Sequence, residues 1–198
     1  MCNSHILFYI KGKEKKMDNL LEQAIQGNQD AYVKLMDLLR TDLYRIATAR
    51  LTNSEDINDA IHETILKSYK YLHKLKHKEY FKTWIIKILI NECNNIYYYN
   101  LRQISLINRI IYSKGPSKKT EIELAEDKMD FEKLLSPLNY NEKIIAILYY
   151  NNNFTPTEIA DILNISINTV KTRLRRLKIK IESEIKKGGN ETYEKTRK

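Results

Sequence analysis

The sequence predicts an all-α protein made of two small helical domains, a four-helix bundle followed by a helix-turn-helix bundle, joined by a flexible linker. Three observations carry that prediction. Apolar residues recur at helical spacing along most of the 198-residue chain. Five glycines and three prolines leave little material for the turns that an all-β fold needs. Between residues 111 and 127 the apolar stripe lapses around Ser113-Lys114-Gly115-Pro116-Ser117-Lys118-Lys119, and a Gly-Pro pair breaks any helix that reaches it.

Residues 1–16 precede a more typical start at Met17. They read either as a disordered arm or as an artefact of start-codon choice. The apolar run His5 to Ile10 is far short of the roughly 20 residues of a spanning helix, and lysines rather than a small-residue cleavage site follow it. Residues 17–110 form the first predicted domain. Its four amphipathic helices carry Leu20, Leu21, Ala24 and Ile25; Leu35, Leu39, Leu43 and Ile46; Ile57, Ile61, Ile65 and Leu72; and Ile85, Ile88, Leu89 and Ile96, the last helix running to about Arg102. Gly27 sits where the first helix should stop, and Asn53 with Asp56 makes an acceptor-rich start for the third. Residues 111–127 are the predicted linker. Phe131, Leu134 and Leu135 then open a second domain over 128–187, and the Gly188-Gly189 pair begins a frayed tail over 188–198.

A net charge of +9, with 30% charged residues, suits a polyanionic partner. The abundance of Ile, Lys, Asn and Tyr is also what an AT-rich genome imposes, so the position of the charges has to decide. Cys2 and Cys93 are too far apart in sequence for a close-spaced zinc site and too few for a disulfide scaffold, which fits a reducing cytoplasm. His5, His62, His73 and His77 make no metal or triad spacing, and no glycine-rich phosphate loop occurs. No catalysis, metal, cofactor or small-molecule substrate is expected.

The most specific pattern runs from Thr155 to Leu174. Thr155 can cap a helix, Pro156 suits its first turn and Glu158 can complete a capping box. Asn164-Ile165-Ser166 is a turn whose isoleucine can point into the core. Ser166 can cap a second helix running through Val170, Leu174, Leu177, Ile181 and Ile185. Opposite that apolar stripe lie Asn168, Lys171, Thr172 and Arg175, with Thr169, Arg173 and Arg176 on the flanks. Asn168 and Lys171 are placed to read base edges in a major groove, and Arg173, Arg175 and Arg176 to hold phosphates.

A second one-sided stripe lies between Tyr80 and Tyr98. Lys87, Asn91, Asn94 and Tyr98, flanked by Trp84 and Asn95, share the face opposite Ile85, Leu89 and Ile96. Amides pair with adenine and aromatics stack on unstacked bases, so this face suits an opened strand. The plainer reading is a wet helix surface with Phe81 and Trp84 in the core. In the preceding helix Asp56, Asp59, His62 and Glu63 complement the helix dipole, and the sharper reading is a protein-docking surface.

From about Asp18 to Lys186 the chain resembles the extracytoplasmic-function (ECF, group IV) sigma factors of bacterial RNA polymerase, in the sigma-70 family. The resemblance rests on Asp56-Ile57-Asn58-Asp59-Ala60-Ile61-His62-Glu63-Thr64-Ile65 with Phe81-Lys82-Thr83-Trp84, similar to the family's domain two. It rests equally on Glu158-Ile159-Ala160 with Thr169-Val170-Lys171-Thr172-Arg173-Leu174, similar to domain four. The resemblance implies that Asp56, Asp59, His62 and Glu63 dock on the clamp coiled coil of the polymerase largest subunit. It implies that the loop His73 to Glu79, with Lys87, Asn91 and Asn95, recognises and opens the minus-ten element, a surface to which the helical stripe adds Asn94 and Tyr98. Domain four would contact the flap and insert its second helix into the minus-thirty-five element, and the linker would thread toward the active-site channel. An anti-sigma protein, in many such systems membrane-bound, is the implied regulator. The chain departs from the family pattern at His62, at Ile65 and at the tyrosine-rich end of the minus-ten helix, Tyr97-Tyr98-Tyr99-Asn100-Leu101-Arg102. The competing reading is a stand-alone helix-turn-helix regulator that binds duplex DNA without polymerase.

Overall fold

The computed structural model describes residues 15–112 and 138–195, with side chains described over 15–105 and 138–182. Among the described residues every regular element is helical. The chain divides into two compact units, the first ending at Ile96 and the second starting at Tyr97.

The first unit opens with helix α1 over residues 15–25, so the helix begins two residues inside the segment expected to be an arm; residues 1–14 lie outside the described residues. It stops where Gly27 takes φ 93°, a left-handed conformation in which a side chain is strained. The Asn28 side chain then accepts a hydrogen bond from the Ala31 amide at 3.0 Å and caps α2, Gln29–Thr48. Asn53 caps α3, Ser54–Tyr71, in the same way, through the Glu55 amide at 2.8 Å. Two short 3-10 turns, Leu72–Lys74 and Lys78–Tyr80, lead into α4, Phe81–Tyr112.

Leu21, Leu35, Leu43, Ile46, Phe81, Ile85 and Leu89 fill this core and are almost wholly removed from water. The buried faces of α3 and α4 are rotated from the expected stripes. On α3, Ile61 and Ile65 are only half-buried, while Ala60, Thr64 and Ser68 are buried with Ile57. Small side chains fit here because their hydroxyls find partners. Thr64 donates to the Ala60 carbonyl at 2.7 Å. Tyr32 of α2 donates to the Ile65 carbonyl at 2.6 Å and lies 2.7 Å from the Ser68 hydroxyl. On α4 the buried apolar set is Phe81, Ile85, Ile86, Leu89, Ile90 and Cys93, joined by Thr83, a broad face that leaves Ile88 and Ile96 at its margins. Burial pushes the Cys93 thiol up to about 12, so it stays protonated. The helix also runs ten residues past Arg102, to Tyr112.

The second unit contains α5, Tyr140–Ala146, which continues as a π-helical turn Ile147–Asn151, then α6, Pro156–Leu163, and α7, Ile167–Lys195. Its core is almost purely aliphatic: Ile144, Ile145, Leu148, Ile159, Val170 and Leu177, closed by Phe154. Phe131, Leu134, Leu135 and residues 113–127 of the expected linker lie outside the described residues. The frayed tail expected after Lys187 is corrected, since α7 continues through Gly188 and Gly189 to Lys195. A glycine inside a helix costs about 1 kcal/mol but ends it only by turning left-handed, and Gly27 is the one glycine that does so among the described residues.

Candidate nucleic-acid interface

The helix-turn-helix is assembled from local hydrogen bonds. Thr155 Oγ1 accepts from the Glu158 amide at 3.3 Å, and the Glu158 carboxylate accepts from the Thr155 amide at 2.8 Å, a complete capping box with Pro156 at the first helical position. Helix α6 ends at Asn164, which adopts φ 51° and lets the Ile165 amide donate to the Ala160 carbonyl at 3.0 Å. Ser166 Oγ accepts from the Thr169 amide at 3.1 Å and so caps α7. Ile165 is half-buried, which meets the expectation of a core-directed turn only in part.

Val170 and Leu177 fix the rotation of α7 because both are fully buried. Asn168, Lys171, Thr172, Arg175 and Arg176 are consequently exposed, and Thr169 and Arg173 are half-buried. Thr169 also holds the Ser166 hydroxyl at 2.8 Å, which ties its side chain to the cap.

A second capping box, missed in the sequence reading although Asn139 and Glu142 carry its spacing, starts α5. The Asn139 side chain accepts from the Glu142 amide at 3.1 Å, and Glu142 accepts from the Asn139 amide at 3.2 Å. The other carboxylate oxygen of Glu142 receives the Lys180 ammonium of α7 at 2.6 Å. That hydrogen bond, the Asn139 amide and the charges of Lys180 and Arg173 hold the Glu142 carboxyl below its ordinary range. The stability gained is complete above the ordinary glutamate pKa and fades as pH falls through the lowered value.

In the first unit the polar stripe of α4 faces outward as its spacing requires. Asn91 and Asn95 are exposed, and Lys87 and Asn94 are half-buried. Tyr98 continues the stripe past Ile96, where that unit ends; it is exposed and stands edge-on to Tyr97 at 5.6 Å. Trp84 is half-buried, with its ring 6.1 Å from the wholly buried Phe81. The connection between α3 and α4 presents His73, Lys74, Lys76, His77 and Lys78 to solvent. The Lys74 ammonium lies 5.0 Å from the centre of the Tyr71 ring, and Lys78 pairs with Glu22 of α1 at 2.9 Å.

On α3, Asp59, His62 and Glu63 are exposed and Asp56 is half-buried. Leu66, at helical spacing from Asp59, His62 and Glu63, extends that face and is 63% exposed. Sequence reading passed over it; its signal was an apolar residue on an otherwise polar stripe. Lys67 anchors this face to α4 by an ion pair with Glu92 at 2.7 Å and lies 3.9 Å from Glu63, and the hydrogen bond to Glu92 raises its pKa. Among the described residues no cluster of three potential metal ligands occurs, and no helix is long and apolar enough to cross a membrane.

Comparison with known proteins bears on both units. The sigma-70 region 2 model matches residues 35–100 and the sigma-70 region 4 model residues 128–181, so together they account for more than half of the chain. The ECF RNA polymerase sigma factor SigW of Bacillus subtilis is 22% identical over 82% of this chain and 93% of its own length. The sigma factor SigV of the same organism is 28% identical over 69% of this chain and 80% of its own. The ECF sigma-E factor of Escherichia coli is 23% identical over 87% of this chain and 96% of its own. Two solved structures share the fold. CnrH, in complex with the cytosolic domain of CnrY, covers 86% of this chain and 97% of its own at a TM-score of 0.60 and 18% identity. RpoE of Bartonella quintana, in complex with the anti-sigma factor NepR, covers 78% and 96% at a TM-score of 0.57 and 21% identity.

Proposed function

This chain belongs to the sigma-70 family as an ECF sigma factor, and from that premise we propose how its two outward helical faces divide promoter recognition. It binds core RNA polymerase, directs it to specific promoters and initiates transcription there, under the control of an anti-sigma factor. Asn168, Lys171 and Thr172 meet base edges of the minus-thirty-five element in the major groove, and Arg175 and Arg176, with Thr169 and Arg173 on the flank, hold its backbone. Lys87, Asn91, Asn94, Asn95 and Tyr98, with the loop His73 to Glu79, hold the opened minus-ten strand.

Asp56, Asp59, His62 and Glu63 dock on the clamp coiled coil of the polymerase, and the second unit meets the flap. The segment between the units runs toward the active-site channel. The chain brings specificity rather than catalysis, needs no cofactor and works in the cytoplasm beside the polymerase. CnrH is held by the cytosolic domain of its partner, which favours a membrane-bound regulator here too.

One observation carries this reading: a single chain presents region 2 followed by region 4. A stand-alone duplex regulator would leave the first of them without a task. The test is run-off transcription with core polymerase and the purified full chain on a library of promoters from an AT-rich bacterial genome. Specific transcripts sharing two spaced elements are expected. Duplex binding without transcripts, and without association with core polymerase, would return the chain to the stand-alone class.

A further inference from the structure

Helix α7 carries six cations between Lys171 and Lys180, but they are not equally available to DNA. Arg173 and Lys180 are seven residues apart and therefore lie on one edge of the helix. That edge packs beside α5, where the Glu142 side chain, only 14% exposed, accepts the Lys180 ammonium at 2.6 Å. Arg173 is half-buried and its charge also acts on the Glu142 carboxylate. Lys178, by contrast, faces Glu182 of its own helix at 3.9 Å with both side chains open to water, where screening leaves little of the attraction.

Glu142 cannot drift from this position. Its backbone amide and one carboxylate oxygen are fixed by the Asn139 capping box, so the second oxygen is aimed at α7 by a helix start rather than by a free side chain. A held counter-charge of this kind competes with phosphate for the Lys180 ammonium. Sequence-independent affinity for DNA comes from neutralising phosphates with Lys and Arg, whereas base readout comes from edge contacts. Withholding Lys180 on this edge thus weakens binding everywhere and leaves the base-facing side of α7, at Asn168, Lys171 and Thr172, as it was.

We propose that Glu142 is a specificity-setting residue, an internal counter-charge that keeps Lys180 from DNA phosphates and so lowers affinity for non-cognate duplex. The proposal rests on α7 being the DNA-binding helix. It assigns to α5 a part in DNA recognition without any contact between α5 and DNA.

The test compares the full chain with Glu142→Gln by measuring affinity for a short duplex of mixed sequence over a series of salt concentrations. Glutamine can keep the capping hydrogen bond through its one carbonyl oxygen while removing both the charge and the acceptor that holds Lys180. Thermal unfolding followed by circular dichroism checks that the variant is folded, and Arg175→Ala serves as a control. The variant is expected to bind about threefold or more tightly near 0.1 M salt, with the log-log salt slope steeper by up to about one. Unchanged affinity and slope, with the Arg175→Ala control still weakened, would overturn the proposal while leaving α7 as the DNA-binding helix. Weaker binding by a folded variant would also overturn it and make Glu142 a positioning residue. If neither the parent chain nor the variants bind duplex at any salt, the DNA-binding reading itself falls.

Discussion

The two helical faces assigned to DNA differ in chemistry and in what holds them. The face on α7 is cationic, and short-range bonds set it: a capping box closed within four residues, a left-handed Asn164 and a serine cap. The face on α4 is mainly amide and aromatic, and its bundle is pinned by contacts that reach across the chain, such as Tyr32 to Ile65 and Ser68, and Lys67 to Glu92. The difference teaches that the face proposed to read duplex is specified almost locally, whereas the face proposed to hold an opened strand depends on the packed bundle beneath it.

The largest effect is expected where that contrast is functional. Replacing Lys87, Asn91 and Asn95 together by alanine should lower run-off transcription from duplex promoters by about a hundredfold or more, because three strand contacts are lost at about 1–3 kcal/mol each. A template already unpaired at the minus-ten element should recover most of the loss. Full transcription from duplex by the triple variant would remove α4 from strand opening. Next in size, Lys171→Ala and Arg175→Ala should each weaken binding at the minus-thirty-five element by about 1–3 kcal/mol. Neither should be rescued by the pre-opened template, and a rescue would erase the division of labour between the faces.

Stability sharpens the same contrast at smaller scale. Tyr32→Phe strips the hydroxyl that serves Ile65 and Ser68, and should cost the first unit about 1–2 kcal/mol in chemical denaturation. Thr155→Ala removes a cap and should cost the second unit about 1 kcal/mol. The informative result is which unit responds; a Tyr32→Phe loss felt in the second unit would mean that the two do not unfold separately. The smallest change is expected for Asn164→Gly, within a few tenths of a kcal/mol, because glycine accepts φ 51° as readily as asparagine does. Asn164→Val should cost more, about 1–2 kcal/mol, and equal melting temperatures for the two variants would show that the turn is not what sets α7.

How much was legible follows from the range of the interactions. Thr155, Pro156, Glu158 and Ser166 announced the helix-turn-helix because caps act within three or four residues and leave a spacing that can be read. The outward faces of α4 and α7 were legible because helical geometry fixes which residues stand opposite a stripe. The rotation of α3 was not legible. Isoleucines at 61 and 65 look like core by hydropathy, yet Thr64 and Ser68 are the buried pair: the Thr64 hydroxyl is satisfied by the Ala60 carbonyl one turn back, and the Ser68 hydroxyl meets Tyr32 from more than thirty residues away.

The sequence by itself therefore determined the all-α class, the order of the two helical units and the residues that face outward on α7. Hydrophobic period and capping chemistry are short-range and survive as pattern. The tertiary structure alone decided which small polar residues enter the first core, that Leu66 stands bare beside Asp59, His62 and Glu63, and that Glu142 claims Lys180 across 38 positions of sequence. Those outcomes depend on which surfaces meet, and no local spacing records a meeting between distant segments.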